Sequence, residues 1–210
     1  MVFEQIIKSR WIKRKEHAFF LAFFYSLLAI LSAKLIFPKG LGLMSIAFTS
    51  ILLIPSLNIL LSMEENQEIR QNKLSLRRLW KDHNDILKVY LFMFLGIFLA
   101  YGIFTLFLDQ QTAELWFSPQ LSAAGISGNA DYFFTISMLQ ILKNNLIIFV
   151  VCFVLSLVYG AGSVMFLTWN ASVWGVVFGL FAKLSSTAAG MNPFKVFFCQ
   201  PCAFFTPYVN

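Results

Sequence analysis

Apolar runs about twenty residues long alternate with short polar breaks along most of the chain. Residues 18–37 hold no Asp, Glu or His and end in Phe37-Pro38-Lys39-Gly40, the punctuation of a tight turn. At 1.5 Å rise per residue, twenty residues cross about 30 Å, the thickness of a bilayer's hydrocarbon. Similar runs follow at 41–62, 89–108, 146–168 and 171–190. The pattern predicts an all-α fold, a polytopic helical membrane bundle of about five transmembrane helices occupying residues 18–190. Residues 191–210 are apolar but broken by Pro193, Pro201 and Pro207. They read as a re-entrant or interfacial segment, or as an incomplete sixth span.

Composition agrees with this. Of 210 residues, 59% are hydrophobic and 12% charged, against about 25% charged in an ordinary soluble domain. The net charge is +6, and its basic residues stand beside apolar segments, where they set topology and meet lipid head groups. Nucleic acid is not implied. Residues 1–17 carry five Lys/Arg and two Glu around Val2, Phe3, Ile6, Ile7 and Trp11, the pattern of a basic interfacial helix before an uncleaved signal anchor.

Residues 63–88 hold six Lys/Arg and five Asp/Glu, which marks a cytoplasmic loop with a solvated helical element. Residues 109–140 contain no Lys or Arg, which places them outside. The expected topology is a multi-pass protein of the cell membrane with a cytoplasmic N-terminus. Lys183 and Lys195 fall outside in this scheme and weaken the charge argument for the last third.

Chemistry-bearing motifs are sparse. Pro55, with Asn58 one turn later, forms a polar kink inside the second span, where the freed carbonyl needs a partner. The kinked helix is expected to face the bundle; an ion or substrate site is the alternative. Cys199-Gln-Pro-Cys202 is a C-x-x-C without a second pair or a nearby His, and reads as two small apolar residues. His83 between Asp82 and Asp85 reads as solvated. No metal and no cofactor is expected.

Residues 141–179 form the most informative stretch. Asn144 and Asn145 stand at the mouth of an apolar run that ends in Gly160 and Gly162. Asn170-Ala171-Ser172 is expected to make a turn, and Gly175 and Gly179 then form a G-x-x-x-G that lets backbones approach closely. The amides are expected to cap or cross-link the fourth helix, and the glycines to pack the fourth helix against the fifth.

That order of an Asn pair, spaced glycines, an Asn turn and a Gly-bearing helix resembles the stage II sporulation protein M family of integral membrane proteins, over about 40 of 210 residues. Ala171 stands where the family more often has Gly, and the family's Pro-His-Gly followed by an acid is absent. The resemblance therefore points to a truncated or divergent member. It implies a scaffold in a membrane complex that remodels the cell envelope, not itself a hydrolase.

An enzyme would need a nucleophile with a base, or a metal, within reach of substrate. The five apolar runs contain no Asp, Glu or His, so the expectation is a non-enzymatic scaffold. Its partners would be the lipid bilayer and a membrane or envelope protein, with oligomers open to it. A transporter, channel or permease subunit is the alternative, with Pro55 and Asn58 or the Asn144 and Asn145 amides as its oxygens.

Overall fold

In the computed structural model the described residues are 15–37, 40–70, 76–124, Lys143, Leu146, Ile147, Val150 and 162–203; for 58–70, 76–86, 162–163, 188–189 and 199–203 only the backbone is described. Among them there is no strand. We number the helices α1 (Lys15–Ile36), α2 (Leu41–Arg70), α3 (Leu76–Phe107), α4 (Gln110–Trp116), α5 (Ser118–Ala123), α6 (Gly162–Ala189) and α7 (Pro193–Ala203). Three segments, Lys15–Ile36, Leu87–Phe107 and Val164–Thr187, are long and apolar enough to cross a membrane, and Leu41–Leu57 is a shorter apolar helix.

α1 is built inside out by the standards of a soluble helix. Ala18, Ala22, Ser26, Ala29 and Ala33 are buried with a single large side chain, Ile30, among them, whereas Phe20, Phe24, Leu28, Leu31 and Leu35 are exposed. A mostly small inward face and large apolar side chains facing outward suit a lipid surround, where close backbone packing replaces the hydrophobic effect as the source of association. The inward face meets α3. A Cβ at Gly96 would run into the Phe19 carbonyl and stand 3.2 Å from the Ala22 Cβ. Lys15 Nζ lies 5.4 Å from the Phe92 ring, so α1 and α3 run in the same direction.

α6 runs parallel to them as well. A Cβ on Gly175 would stand 2.5 Å from the Phe98 carbonyl and 2.9 Å from the Tyr101 Cβ, and one on Gly179 would stand 2.7 Å from the Gly102 carbonyl and 2.9 Å from the Thr105 Cβ. Rising residue numbers in α6 thus meet rising numbers in α3. α2 returns antiparallel to α1 through Gly40, whose φ of 105° only glycine adopts easily. The end of α5 and the start of α6 therefore lie at opposite ends of the bundle.

Two expectations need correction. The turn at Asn170-Ala171-Ser172 does not exist, because α6 runs through it without a break. Thr168 donates to the Val164 carbonyl at 2.9 Å, Asn170 Nδ2 to Phe166 at 2.8 Å and Ser172 to Trp169 at 2.8 Å. Polar side chains that favour turns in water bond instead to the carbonyls of their own helix. α6 therefore takes in the last residues given to the fourth span together with the fifth. Leu146, Ile147 and Val150 are helical and exposed, and the rest of 144–161 lies outside the described residues.

The second correction concerns the outer loop, which begins as two packed helices: Ala113, Phe117, Gln120 and Leu121 are buried. α2 continues through Pro55, which is itself exposed, while Leu53, Ser56 and Leu57 beside it are buried, so this part of the helix faces the bundle as expected. The 63–88 segment is built largely from continuations of α2, to Arg70, and of α3, from Leu76.

α6 ends at Gly190, where φ is 64° and Met191 N bonds to the Ser186 carbonyl at 3.0 Å, a Schellman closure. Asn192 then opens α7, its Oδ1 accepting from Phe194 N at 2.9 Å. α7 doubles back along α3. Phe194 lies against Phe107 (5.3 Å between centroids), and Phe197 is stacked on Phe98 (5.9 Å) and buried with Leu106, Ala182 and Val196. The eleven described residues of α7 reach about 16 Å, and residues 204–210 lie outside the described residues.

Candidate functional site

The one buried polar cluster that joins three elements among the described residues lies beneath α4 and α5. Ser45 and Thr49, four residues apart, share one face of α2. The Tyr101 hydroxyl of α3 donates to Ser45 Oγ at 3.0 Å. Ser45 in turn donates to the Gly42 carbonyl at 2.9 Å, and Thr49 to the Ser45 carbonyl at 2.8 Å. Each hydroxyl has a single proton, and all three are committed in this arrangement. The 3.4 Å separation between Thr49 Oγ1 and the Tyr101 hydroxyl is then a contact between oxygens and adds little.

Gln120 of α5 closes the cluster from above. Its Nε2 donates to the same Gly42 carbonyl at 3.0 Å, while its Oε1 has no hydrogen-bond partner and is fully buried. Oε1 is not idle. It stands 2.5 Å from the position a Cβ on Gly42 would take, and the Trp116 carbonyl stands 2.8 Å from it. Both oxygens face the Gly42 methylene, the geometry of weak Cα–H···O contacts that recur where helices approach closely. Turning the amide over would set two carbonyl oxygens against each other.

Aromatic rings seal the cluster. Phe117, between α4 and α5, packs edge-on against Tyr101 (6.0 Å) and Phe104 (6.2 Å). Tyr101, Gln120, Ser45 and Thr49 have no solvent exposure. The start of α4 is fixed by Asp109, whose Oδ2 accepts from Thr112 N at 2.8 Å. Hydrogen bonds from the Thr112 side chain and amide, aided by the Lys183 charge, hold the Asp109 carboxyl below its ordinary value. Lys34, at the end of α1, places its ammonium 5.1 Å from the Trp116 ring. Chemically, the cluster is a clasp: it ties α2, α3 and α5 together and offers no open face to a substrate.

The residues singled out in the sequence fall elsewhere. Asn144, Asn145 and Gly160 lie outside the described residues, and Gly162 is the first residue of α6. Asn170 bonds within its own helix. Among the described residues Gly175 and Gly179 make their close approach to α3, with Gly102 opposite. The Asn58 side chain, and those of His83, Cys199 and Cys202, are outside the described residues. Among the described residues no three His, Cys, Asp or Glu side chains are grouped as metal ligands.

The chain matches no protein-family model, no curated protein and no solved structure. Gly42, Ser45, Thr49, Gly96, Tyr101, Gly102 and Gln120 were all missed by pattern reading. A signal existed for some of them. A Tyr in an apolar span needs a hydrogen-bond partner, and Gly42 with Ser45 and Thr49 marks one small, polar helix face. Nothing local marks Gln120 as its mate, 78 residues away.

Proposed function

We propose that the protein is a non-enzymatic integral membrane scaffold, a rigid bundle that holds a membrane or envelope partner. The observation that carries this reading is the closed clasp of Tyr101, Ser45, Gly42 and Gln120, in which Tyr101 and Gln120 donate across helices to α2 and Ser45 donates within it. The glycine seams at Gly96, Gly175 and Gly179 act in the same sense. Interhelical hydrogen bonds in membranes are worth about 0.6–2 kcal/mol each, enough to hold a geometry. The order of Asn and Gly residues over 141–179 adds a link to the sporulation protein M family, and with it a role beside enzymes that remodel the cell envelope. The orientation we favour has the N-terminus in the cytoplasm of a plasma-membrane protein. Lys15, Arg70, Arg77, Arg78, Lys81 and Lys88 belong to one end of the bundle, while Lys34, Lys183 and Lys195 belong to the other.

A permease subunit is the second reading, and α7 favours it: the helix folds back onto α3 after Gly190, and helical segments that turn back into a bundle line solute paths in many transporters. Purified protein in sealed vesicles, assayed for ion and small-solute flux, separates the two. The scaffold reading expects no flux above protein-free vesicles, together with recovery from native membranes of a defined complex of fixed stoichiometry. Solute flux that drops when Asn58 or Gln120 is replaced would reverse the choice.

A further inference from the structure

Two outward faces carry polar groups at the depth where lipid offers them nothing. Trp174 is the first. It sits near the middle of the Val164–Thr187 span, 51% exposed. Its ring rests on Phe178 at 5.6 Å, but among the described residues its indole N–H meets no acceptor. Tryptophan in membrane helices is enriched at the interfaces, where the N–H finds water or head groups. At mid-depth it needs a protein acceptor.

The second is on α2. Pro55 has no N–H, so the Ile51 carbonyl loses its usual i+4 donor. Ile51 is 61% exposed and Pro55 is exposed beside it. Met44, Ala47, Ile51 and Pro55, at i, i+3, i+7 and i+11, form one exposed stripe.

The two faces share a depth. Tyr101 contacts Ser45 and Thr49 of α2 on one side and would meet a Cβ on Gly175 of α6 on the other. Ile51 is two residues beyond Thr49, and Trp174 is one residue before Gly175, both toward the same end of the bundle. The donor and the acceptor thus lie within about one helical turn of each other along the membrane normal. They cannot meet within one chain. Trp174 belongs to the flank of α6 that holds Phe178, in contact with Phe98 and near α7, whereas Ile51 and Pro55 lie on the exposed flank of α2.

From this complementarity we propose that the protein associates laterally with a second copy of itself, the Trp174 face of one copy docking on the Met44, Ala47, Ile51 and Pro55 stripe of the next. The Trp174 indole donates to the Ile51 carbonyl across the contact. The interface is heterologous, so copies close into a ring or continue as a row. It requires the membrane bundle but holds equally for a scaffold and for a permease subunit.

The full chain in lipid vesicles, labelled for fluorescence energy transfer and diluted stepwise with lipid, tests this. The wild type is expected to associate. Trp174→Phe, which keeps the ring and removes the N–H, weakens association about threefold to tenfold. Pro55→Ala returns a donor to the Ile51 carbonyl and weakens it similarly, and the double variant falls no further than either alone. With Cys152, Cys199 and Cys202 replaced by serine, Ala47→Cys and Val177→Cys proteins cross-link when mixed and not separately. A wild type that stays monomeric at the highest protein-to-lipid ratio, covered by lipid alone, overturns the proposal. Unchanged association of both folded variants, or cross-linking of either cysteine protein by itself, overturns it as well.

Discussion

Gln120 holds Gly42 with both atoms of its amide: Nε2 donates to the Gly42 carbonyl at 3.0 Å, and Oε1 occupies the space beside the Gly42 methylene, 2.5 Å from where a Cβ would stand. The grip fastens the α4–α5 cap to the first turn of α2. Position 42 therefore tolerates no side chain, although its backbone has no unusual φ.

Gly42→Ala is expected to lower stability by about 1–3 kcal/mol, the usual cost of forcing atoms into a filled site. Of the two oxygens in the way, the Trp116 carbonyl belongs to the backbone and cannot swing aside. Adding Gln120→Ala to Gly42→Ala costs less than the sum of the two changes, because both break the same contact. Thermal melting of the four proteins in detergent checks this; strict additivity counts against the clasp.

Ser45→Ala and Tyr101→Phe remove the same 3.0 Å hydrogen bond but leave different remainders. Without the Ser45 hydroxyl, the buried Tyr101 proton has only Thr49 Oγ1, 3.4 Å away. Without the phenol, Ser45 still donates to the Gly42 carbonyl. Leaving a buried donor poorly paired costs about 1–3 kcal/mol, and losing one bond about 0.5–1.5 kcal/mol. Urea or thermal unfolding should therefore rank Ser45→Ala as the more damaging change, and the opposite order contradicts the donor assignments.

Gly175→Ala and Gly102→Ala should differ in kind. At Gly175 the nearest atoms are the Phe98 carbonyl and the Tyr101 Cβ, which cannot turn away. At Gly102 they are the end of the Phe197 ring. Gly175→Ala is expected to separate α3 from α6 and lower the melting midpoint by several degrees, as a loss of about 1–3 kcal/mol implies. Gly102→Ala displaces α7 first, so protease access to 193–203 rises while the midpoint moves less.

Asp109 supplies a pH test. Its carboxyl is held below the ordinary 3.8 in the folded protein, by the Thr112 hydrogen bonds first. A lowered folded value means that the charged form stabilises the fold. That stabilisation is complete above the unfolded value near 3.8 and is lost as pH falls through the folded value. Asp109→Ala should lower stability at neutral pH and make little difference in strong acid, where the native carboxyl is protonated too. A difference between the two proteins that persists unchanged in strong acid refutes the linkage.

The orientation is open to labelling. Ser75→Cys and Ser122→Cys, each alone in a cysteine-free background, should react with a membrane-impermeant reagent from opposite sides of the membrane. Labelling of both from one side breaks the topology with the N-terminus in the cytoplasm.

The helical membrane class was legible from the chain because it depends on local quantities: twenty-residue apolar runs, an absence of Asp, Glu and His inside them, and basic flanks. The Gly175 and Gly179 spacing was legible too, as a surface for close approach. Which helix comes close was not, since a G-x-x-x-G states how near a neighbour stands and never which neighbour it is. Only the tertiary structure decided that it is α3, with Gly102 opposite. The same limit explains Asn170. Its amide has turn chemistry in water, but inside a lipid-embedded helix the nearest acceptor is the Phe166 carbonyl one turn back, so the helix runs on. Gln120 shows the other side of this: its sequence neighbours give no hint of burial, and its role arises because α5 folds back over the start of α2, 78 residues earlier. Period and polarity along one chain determine which elements form. Pairings between distant elements depend on contacts that no single segment encodes, and those contacts made the clasp.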